Sequence, residues 1–405
     1  MKILKCSILF ALLLVLALFL IANAWAAPSV SGVSGTVTHG ASITISGSSF
    51  GTKSPAAPAV WDNMALYSGY TNGQCIPAGS SYTPCPAANP YGWYNNNDGS
   101  SKSPWYRTTA RGVWPSHYSN YWGTAGVAGS GYAGQEIDLG DIPAAGINNT
   151  STKVFYGTWW VYPYGNPNDS PTDGNKWSRM LAGTAGWVDT NYTYIIGPQT
   201  IMQIAQPTES YFVAWNSPQA TPSAWNRIEQ IMDNTGTNSI IYSNMYSGGS
   251  GYLTSGSQNA GALYPLMQQL AGLGADWANG NATQDPVLDW GEIYADNTYS
   301  RVEVCDATTW AARSHCEIQI PSAWSATSAT VTVNQGSFSS GASAYLYVVD
   351  STNTANSSGY PVTFGSGGGG SAPPMPSEPF LLSNRRGPLP QAAFPSPGLP
   401  PLVSF

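Results

Sequence analysis

The chain has 405 residues, with 14 Lys and Arg against 21 Asp and Glu and a formal net charge of −7. Charged residues make up only 9% of it while aromatic residues reach 12%, with 16 Trp and 24 Tyr; an ordinary soluble protein carries roughly 25% charge. The acidic balance and the lack of any Lys/Arg run exclude nucleic acid as a partner, and the aromatic load excludes disorder for most of the chain.

Solubility must then come from neutral Ser, Thr, Asn and Gly. A polar, uncharged, aromatic-rich surface suits neutral polymers such as glycans, and also packing into a surface layer.

Residues 1–26 read as a secretion signal. Lys2 and Lys5 give the positive start, Ile8 to Ile21 the apolar run, and Ala24-Trp25-Ala26 a small-x-small cleavage site. A retained anchor is the alternative; the short run and the cleavage site favour removal, giving a secreted or cell-surface protein with no membrane segment. Cys6 precedes the apolar run and is not placed for lipid attachment. Export permits disulfides, and Cys75, Cys85, Cys305 and Cys316 remain. They allow three pairings. The sequence-local one, Cys75–Cys85 and Cys305–Cys316, closes two short loops and is expected to add roughly 2–3 kcal/mol per bridge. No His lies at metal-ligand spacing to these cysteines, so a zinc site is not expected.

Residues 28–53 show strand-like alternation from Ser42 to Ser46 between Gly-marked turns. Gly40, Ile43-Thr44-Ile45-Ser46-Gly47 and Ser48-Ser49-Phe50-Gly51 together resemble the first half of an IPT/TIG domain, an immunoglobulin-like sandwich. Its closing strands have their counterpart only far downstream, in Val331-Thr332-Val333, Ala344 to Asp350 and Pro361-Val362-Thr363-Phe364. The resemblance implies one Ig-like domain split into residues 27–53 and 321–365, with residues 54–320 inserted at a loop, where such insertions are tolerated.

Within the insert, Trp61 opens a strand, and residues 71–135 carry many turn residues and two aromatic clusters. A loop this long is usually functional. Lys153 to Met180 follows. Val154 to Tyr162 alternate bulky residues on both faces, which predicts a strand covered on both sides. A turn-rich loop and Lys176–Met180 then suggest the second arm of a central hairpin. Further strands are expected at Tyr192–Ile196, Ser210–Trp215, Trp225–Met232, Glu292–Ala295, Ser300–Val304 and Glu317–Ile320, the last three completing the sheet. Leu263 to Leu273 reads as the one helix.

Trp225, Arg227 and Glu229, followed by a turn and Tyr242, together with Asn175-Lys176-Trp177-Ser178-Arg179, resemble the middle of concanavalin A-like lectin/glucanase sandwiches, an architecture shared by several polysaccharide lyases. The expected fold is therefore all-β: an antiparallel jelly-roll sandwich plus a small Ig-like β-sandwich. In such a jelly roll one sheet face is often a solvated groove. Trp225, Arg227 and Glu229 share one side of their strand, Arg301 and Glu303 a side opposite Val302 and Val304, and Glu317 and Gln319 a side opposite Ile318 and Ile320. These rows would line a groove for a polar polymer, or else form cross-strand ion pairs on a solvated face.

Glycosidase carboxylates are poorly matched: Glu136 and Asp138 share a face, but Asp141 stands at a turn and not at a third catalytic position. For β-elimination from a uronate, which needs a cation beside the carboxylate and a Tyr or His base, the candidates are Arg107, Arg111, His117 and Tyr118, or Arg227 and Glu229 with Tyr242. The lyase motifs R-x-E-L-R, Q-I-H and Y-F-K-x-G are absent. His39 sits in the Ig-like turn and His315 beside Cys316. Carbohydrate binding needs only flat aromatic faces among amides, and Trp93, Trp105, Trp114, Tyr118 and Trp122 offer them. Calcium is the one cofactor suggested, by Asn168, Asp169 and Asp173 together with Asn166 and Asn175, although their spacing is not that of an EF-hand and such residues are common in turns. Residues 366–405, Gly- and then Pro-rich, are expected to be a disordered tail. The first expectation for function is thus a secreted carbohydrate-binding protein with an aromatic-lined groove; a polysaccharide lyase and a structural cell-surface subunit are the alternatives.

Overall fold

The computed structural model describes residues 26–72, 93–95, 105–108, 110–119, 137–139, 154–163, 175–182, 191–197, 201–205, 210–214, 221, 223–233, 235, 240–247, 251–254, 258–259, 266–271 and 288–365. Among them the regular structure is β, with two short 3-10 turns, Ala65–Tyr67 and Trp310–Ala312. In chain order the strands are β1 (Ser29–Ser34), β2 (Ser42–Ser48), β3 (Val60–Asp62), β4 (Trp93–Asn95), β5 (Trp105–Arg107), β6 (His117–Ser119), β7 (Ile137–Leu139), β8 (Val154–Pro163), β9 (Asn175–Ala182), β10 (Asn191–Gly197), β11 (Ile201–Ala205) and β12 (Ser210–Ala214). They continue as β13 (Asn226–Asp233), β14 (Ile240–Ser247), β15 (Gly251–Thr254), β16 (Gln258–Asn259), β17 (Leu266–Ala271), β18 (Leu288–Asp296), β19 (Arg301–Cys305), β20 (Cys316–Ser325), β21 (Ser328–Thr332), β22 (Ser343–Val349) and β23 (Tyr360–Thr363).

The fold is an all-β, antiparallel jelly-roll sandwich with a small Ig-like sandwich beside it. One jelly-roll sheet runs β15-β14-β13-β8-β18-β6-β5, with β16 on β14 and β3 on β18; the other runs β12-β11-β10-β9-β17-β7-β4. The small sandwich runs β1-β2-β21-β20-β19-β22-β23, so strands from near both ends of the chain meet in it. Strand β20 serves both of its layers: its first half pairs with β19 and its second half with β21, with a register break between Pro321 and Ala323. Residues of alternating parity from both layers, among them Ile43, Ile45, Val302, Val304, Val331, Leu346, Val348 and Phe364, close into one apolar core, as inward positions of a two-layer sandwich must.

Three expectations are corrected. Val154–Pro163 is central and buried from Phe155 to Val161, as its two bulky faces required, but it does not form a hairpin with Asn175–Ala182. β8 pairs with β13 and β18, whereas β9 pairs with β10 and β17 in the other sheet. The chain thus passes from one sheet to the other between β8 and β9, a connection no local pattern encodes. Of the helix expected at Leu263–Leu273, the described residues Leu266–Ala271 form strand β17, paired with β9 and β7; a short apolar run does not by itself distinguish helix from buried strand, and sheet pairing decides it. Finally, β19 and β20 do not complete the jelly-roll sheet. Their backbones pair with β22 and β21 of the small sandwich.

Candidate functional site

Strand β8 alternates Tyr156, Thr158, Trp160 and Tyr162 along one face of its sheet. The register with β13 sets Tyr156 opposite Ile231, Thr158 opposite Glu229 and Trp160 opposite Arg227. The charged row read from parity therefore exists, yet it is not a solvated groove: Arg227, Glu229, Arg301 and Glu303 are all buried. The outer face of β19 covers them. Arg227 donates through Nη1 to Glu303 Oε2 (2.7 Å) and to the Cys316 carbonyl (3.2 Å), through Nε to Thr158 Oγ1 (2.9 Å) and through Nη2 to Tyr156 Oη (3.2 Å). Tyr156 donates to Glu229 Oε1 (2.5 Å). Arg301 donates through Nε to Glu303 Oε1 (2.6 Å), and its guanidinium lies 4.2 Å from the centre of the Tyr156 ring.

Electrostatics follow from this enclosure. Burial alone would raise the Glu303 carboxyl, but Arg227 and Arg301 more than reverse it and hold it at about 2. Burial, with Glu229 and Glu303 nearby, raises the Tyr156 hydroxyl well above its ordinary value against the opposing pull of Arg301 and Arg227, so it stays a donor.

A second cluster lies further along the same face. Arg111 and Trp114 close a tight turn by pairing with each other. Gly112 in that turn has φ +56°, and a Cβ there would collide with the backbone of Gly336 and Ser337; only glycine lets the two loops approach this closely. Arg111 donates through Nε to Glu292 Oε1 (2.8 Å), through Nη2 to Glu292 Oε2, and through Nη1 and Nη2 to Glu317 (2.7 and 2.8 Å). Its guanidinium lies 3.9 Å from the centre of the Trp160 ring. Glu292 sits at a register break in β18 with φ +51°, a left-handed conformation that aims its side chain out of the ladder. Glu317 also accepts from the Ser337 amide (2.9 Å) and pairs with His315 Nε2 (2.8 Å). Burial opposes ionisation of Glu317, and Arg111 followed by His315 overrides it, keeping the carboxyl well below the usual range.

His117 is enclosed here too. Its Nε2 lies 3.2 Å from Glu292 Oε1 and its ring centre 4.3 Å from that of Trp225. Gly291 makes the room, since a Cβ there would come within 2.5 Å of His117 Cδ2.

Only at the far end of the face do the described candidates reach solvent. Tyr162, Trp225 and Arg107 are half-buried. The Tyr162 and Trp225 rings meet edge-on, 5.4 Å between centres, and Trp225 Nε1 donates to the Ala110 carbonyl (3.4 Å). Arg107 Nε lies 4.0 Å from Oδ1 of buried Asp289, while 22% of the Arg107 side chain stays exposed. Two ring surfaces, a partly exposed guanidinium and a carboxylate behind it form a shallow polar-aromatic patch.

The remaining sequence candidates fall as follows. Trp114 is not an exposed platform: it is buried, donates to Asn334 Oδ1 (3.1 Å) and packs edge-on against His39 and Trp61. Trp93, Trp105 and Tyr118 lie on β4, β5 and β6, and Tyr242 on β14 opposite Ile231, but their side chains lie outside the described residues. Trp122, Cys75, Cys85, Asn168, Asp169 and Asp173 lie outside them altogether. Cys305 and Cys316 form a disulfide across paired strands. Glu303 brings a carboxylate close to both sulfurs, but the sulfurs are bonded to each other and the carboxylate to two arginines, so the group does not fit a metal. Reading the sequence missed Tyr162, Asp289 and the bridging role of Glu292. The signal for Asp289 and Glu292 was present: two carboxylates within four residues, flanking Gly291, in a chain poor in charge.

No family model matches the chain, and no curated protein matches it. Among solved structures, it is similar to an alginate lyase from Chlorella virus, with 11% identity over 59% of this chain and 99% of that one and a TM-score of 0.31. It is also similar to the receptor-binding domain of botulinum neurotoxin type G, with 10% identity over 69% of this chain and 72% of that one at a TM-score of 0.32. For basic winged bean lectin the identity is 9%, the shares 40% and 86%, and the TM-score 0.25. Nothing about this chain's activity follows from likeness of that size.

Proposed function

We propose that this is a secreted, surface-directed protein that binds a polysaccharide at the open end of the β8 sheet, on Trp225 and Tyr162 with Arg107 and Asp289 beside them. The observation that carries the reading is the half-buried ring pair next to a partly exposed guanidinium, on a face where Tyr156, Thr158, Trp160, Arg227 and Glu229 are buried. Aromatic faces take the apolar faces of sugar rings, and Arg107, backed by the buried Asp289 carboxylate, offers a donor for hydroxyls or a uronate carboxylate. Four of the elimination candidates are withdrawn from solvent: His117 and Arg111 are enclosed and committed to glutamates, and Arg227 and Glu229 are covered by the small sandwich. We read that small sandwich as an IPT/TIG-like domain that carries the jelly roll as an insert.

A glycan array on the mature chain, with an absorbance assay for unsaturated uronate on the same polymers, tests the function. Binding without new absorbance is expected, and Trp225→Ala should weaken it about tenfold, the size of one lost stacking contact. New absorbance would make the protein a lyase. Silence in both assays across neutral and acidic polymers would remove the glycan reading.

A further inference from the structure

The chain crosses from the small sandwich to the jelly roll just after β2 and returns just after β18. Lys53 stands at the first crossing and Asp296 at the second, 243 positions apart, with Lys53 Nζ 2.5 Å from Asp296 Oδ2. Both side chains are buried, 0% and 2% exposed. The other contacts of the pair orient it for more than attraction. Lys53 Nζ also donates to the carbonyls of Pro55 (3.4 Å) and Ala57 (3.5 Å). Tyr294 Oη donates to Asp296 Oδ2 (3.0 Å), and the Asn297 amide donates to Asp296 Oδ1 (2.9 Å). Each carboxyl oxygen is thus held by a donor while the amine nitrogen is pressed against the same group.

We propose that Lys53 and Asp296 condense to an intramolecular amide, a covalent staple between the two crossings. A buried ion pair is costly as two charges, and passing one proton from the ammonium to the carboxylate removes both. Burial raises the Asp296 carboxyl from its ordinary value, against the opposing pull of Lys53, which favours the acid form the reaction needs. The free Nζ then attacks Cγ, and the N–C bond forms as the carbonyl opens to a tetrahedral centre. The Asn297 amide stabilises Oδ1, the oxygen that gains charge, and the Tyr294 hydroxyl holds Oδ2, the oxygen that leaves. The hydroxyl of the acid departs with one amine proton as water, and the carbonyl reforms as an amide. Atoms balance with one water lost, and no oxidant or co-reactant is required. Holding the two groups in contact replaces a bimolecular step with one of high effective concentration, and water is kept from the product.

The test is mass spectrometry on the folded, purified full chain after reduction and alkylation. The expected mass lies below that of the Lys53→Met variant by one water, after allowing for the substitution itself. Digestion should leave the bond after Lys53 uncut and yield a branched peptide that joins the Lys53 segment to the Asp296 segment. Asp296→Ala should restore full mass and slow migration in a denaturing gel. If that variant does not fold, the wild-type digest decides alone: a chain of full mass, cut by trypsin after Lys53, overturns the proposal.

Discussion

The small sandwich presents two packing surfaces of opposite character. Between its layers lie Val302, Val304, Val331, Leu346, Val348 and their neighbours, all apolar. On the other side of the same strand β19, one residue out of phase, lie Arg301 and Glu303, which meet Arg227, Glu229 and Tyr156 of the jelly roll. The inner surface gains from water release in rough proportion to area and tolerates graded change. The outer one exchanges hydration for fixed partners, so each charge depends on every other. Apolar packing therefore holds the sandwich together, while the charged seam fixes which face of the jelly roll it accepts.

Removing one buried cation should have the largest effect, and the second charged cluster, around Arg111, shows it most directly. Arg111→Ala leaves Glu292 and Glu317 buried without their shared cation and is expected to cost about 3–5 kcal/mol in urea unfolding. Replacing all three by Arg111→Met, Glu292→Leu and Glu317→Leu should cost less than the single change; if it costs more, this cluster is not governed by desolvation. Leu346→Ala in the apolar core should cost about 2–5 kcal/mol, with the cavity setting the value. Acid separates the two surfaces more finely. Glu303 is held at about 2 when folded against 4.5 in the free residue. Between those values the unfolded chain binds the extra proton, so stability is present above about 4.5 and lost as pH falls towards 2, by on the order of 3 kcal/mol. Asp296 acts in the opposite sense, because burial raises its carboxyl; an amide at Lys53 would remove that contribution altogether. Melting curves from pH 5 to 2 check this: Leu346→Ala should keep the wild-type slope, and Glu303→Gln should flatten it.

Much of this was legible in the residues. Val154 to Tyr162 is bulky on both faces and lies at the middle of a buried sheet. The shared faces of Arg227 with Glu229 and of Arg301 with Glu303 followed from a period of two. What covers those faces did not, because a solvated row and a buried seam have the same alternation. The scarcity of charge in the chain hinted that each charged residue had a partner. Glu317 illustrates a further limit. Its parity against Ile318 was right, but the register sets Ile318 opposite Glu303, so Glu317 belongs to the other face and to a different cluster, with Arg111. Register is a property of two strands and cannot be read from one. The open patch is half visible in the sequence: the Trp225, Arg227 and Glu229 row points to Trp225, while Tyr162 has only the pattern of a bulky strand residue.

The meeting of distant strands in the small sandwich also sets an order of events during synthesis. β2 pairs with β21, and Thr44 Oγ1 touches Thr330 Oγ1 across 286 positions of sequence. When β1 and β2 leave the ribosome they form at most a two-stranded hairpin, which is marginal in water. Their partner β21 arrives only after the described jelly-roll strands, β3 to β18, have been made. Strands β1 and β2, made before the described jelly-roll strands, are therefore secured after them, and the exposed edge of β2 must be kept from other chains until β21 reaches it.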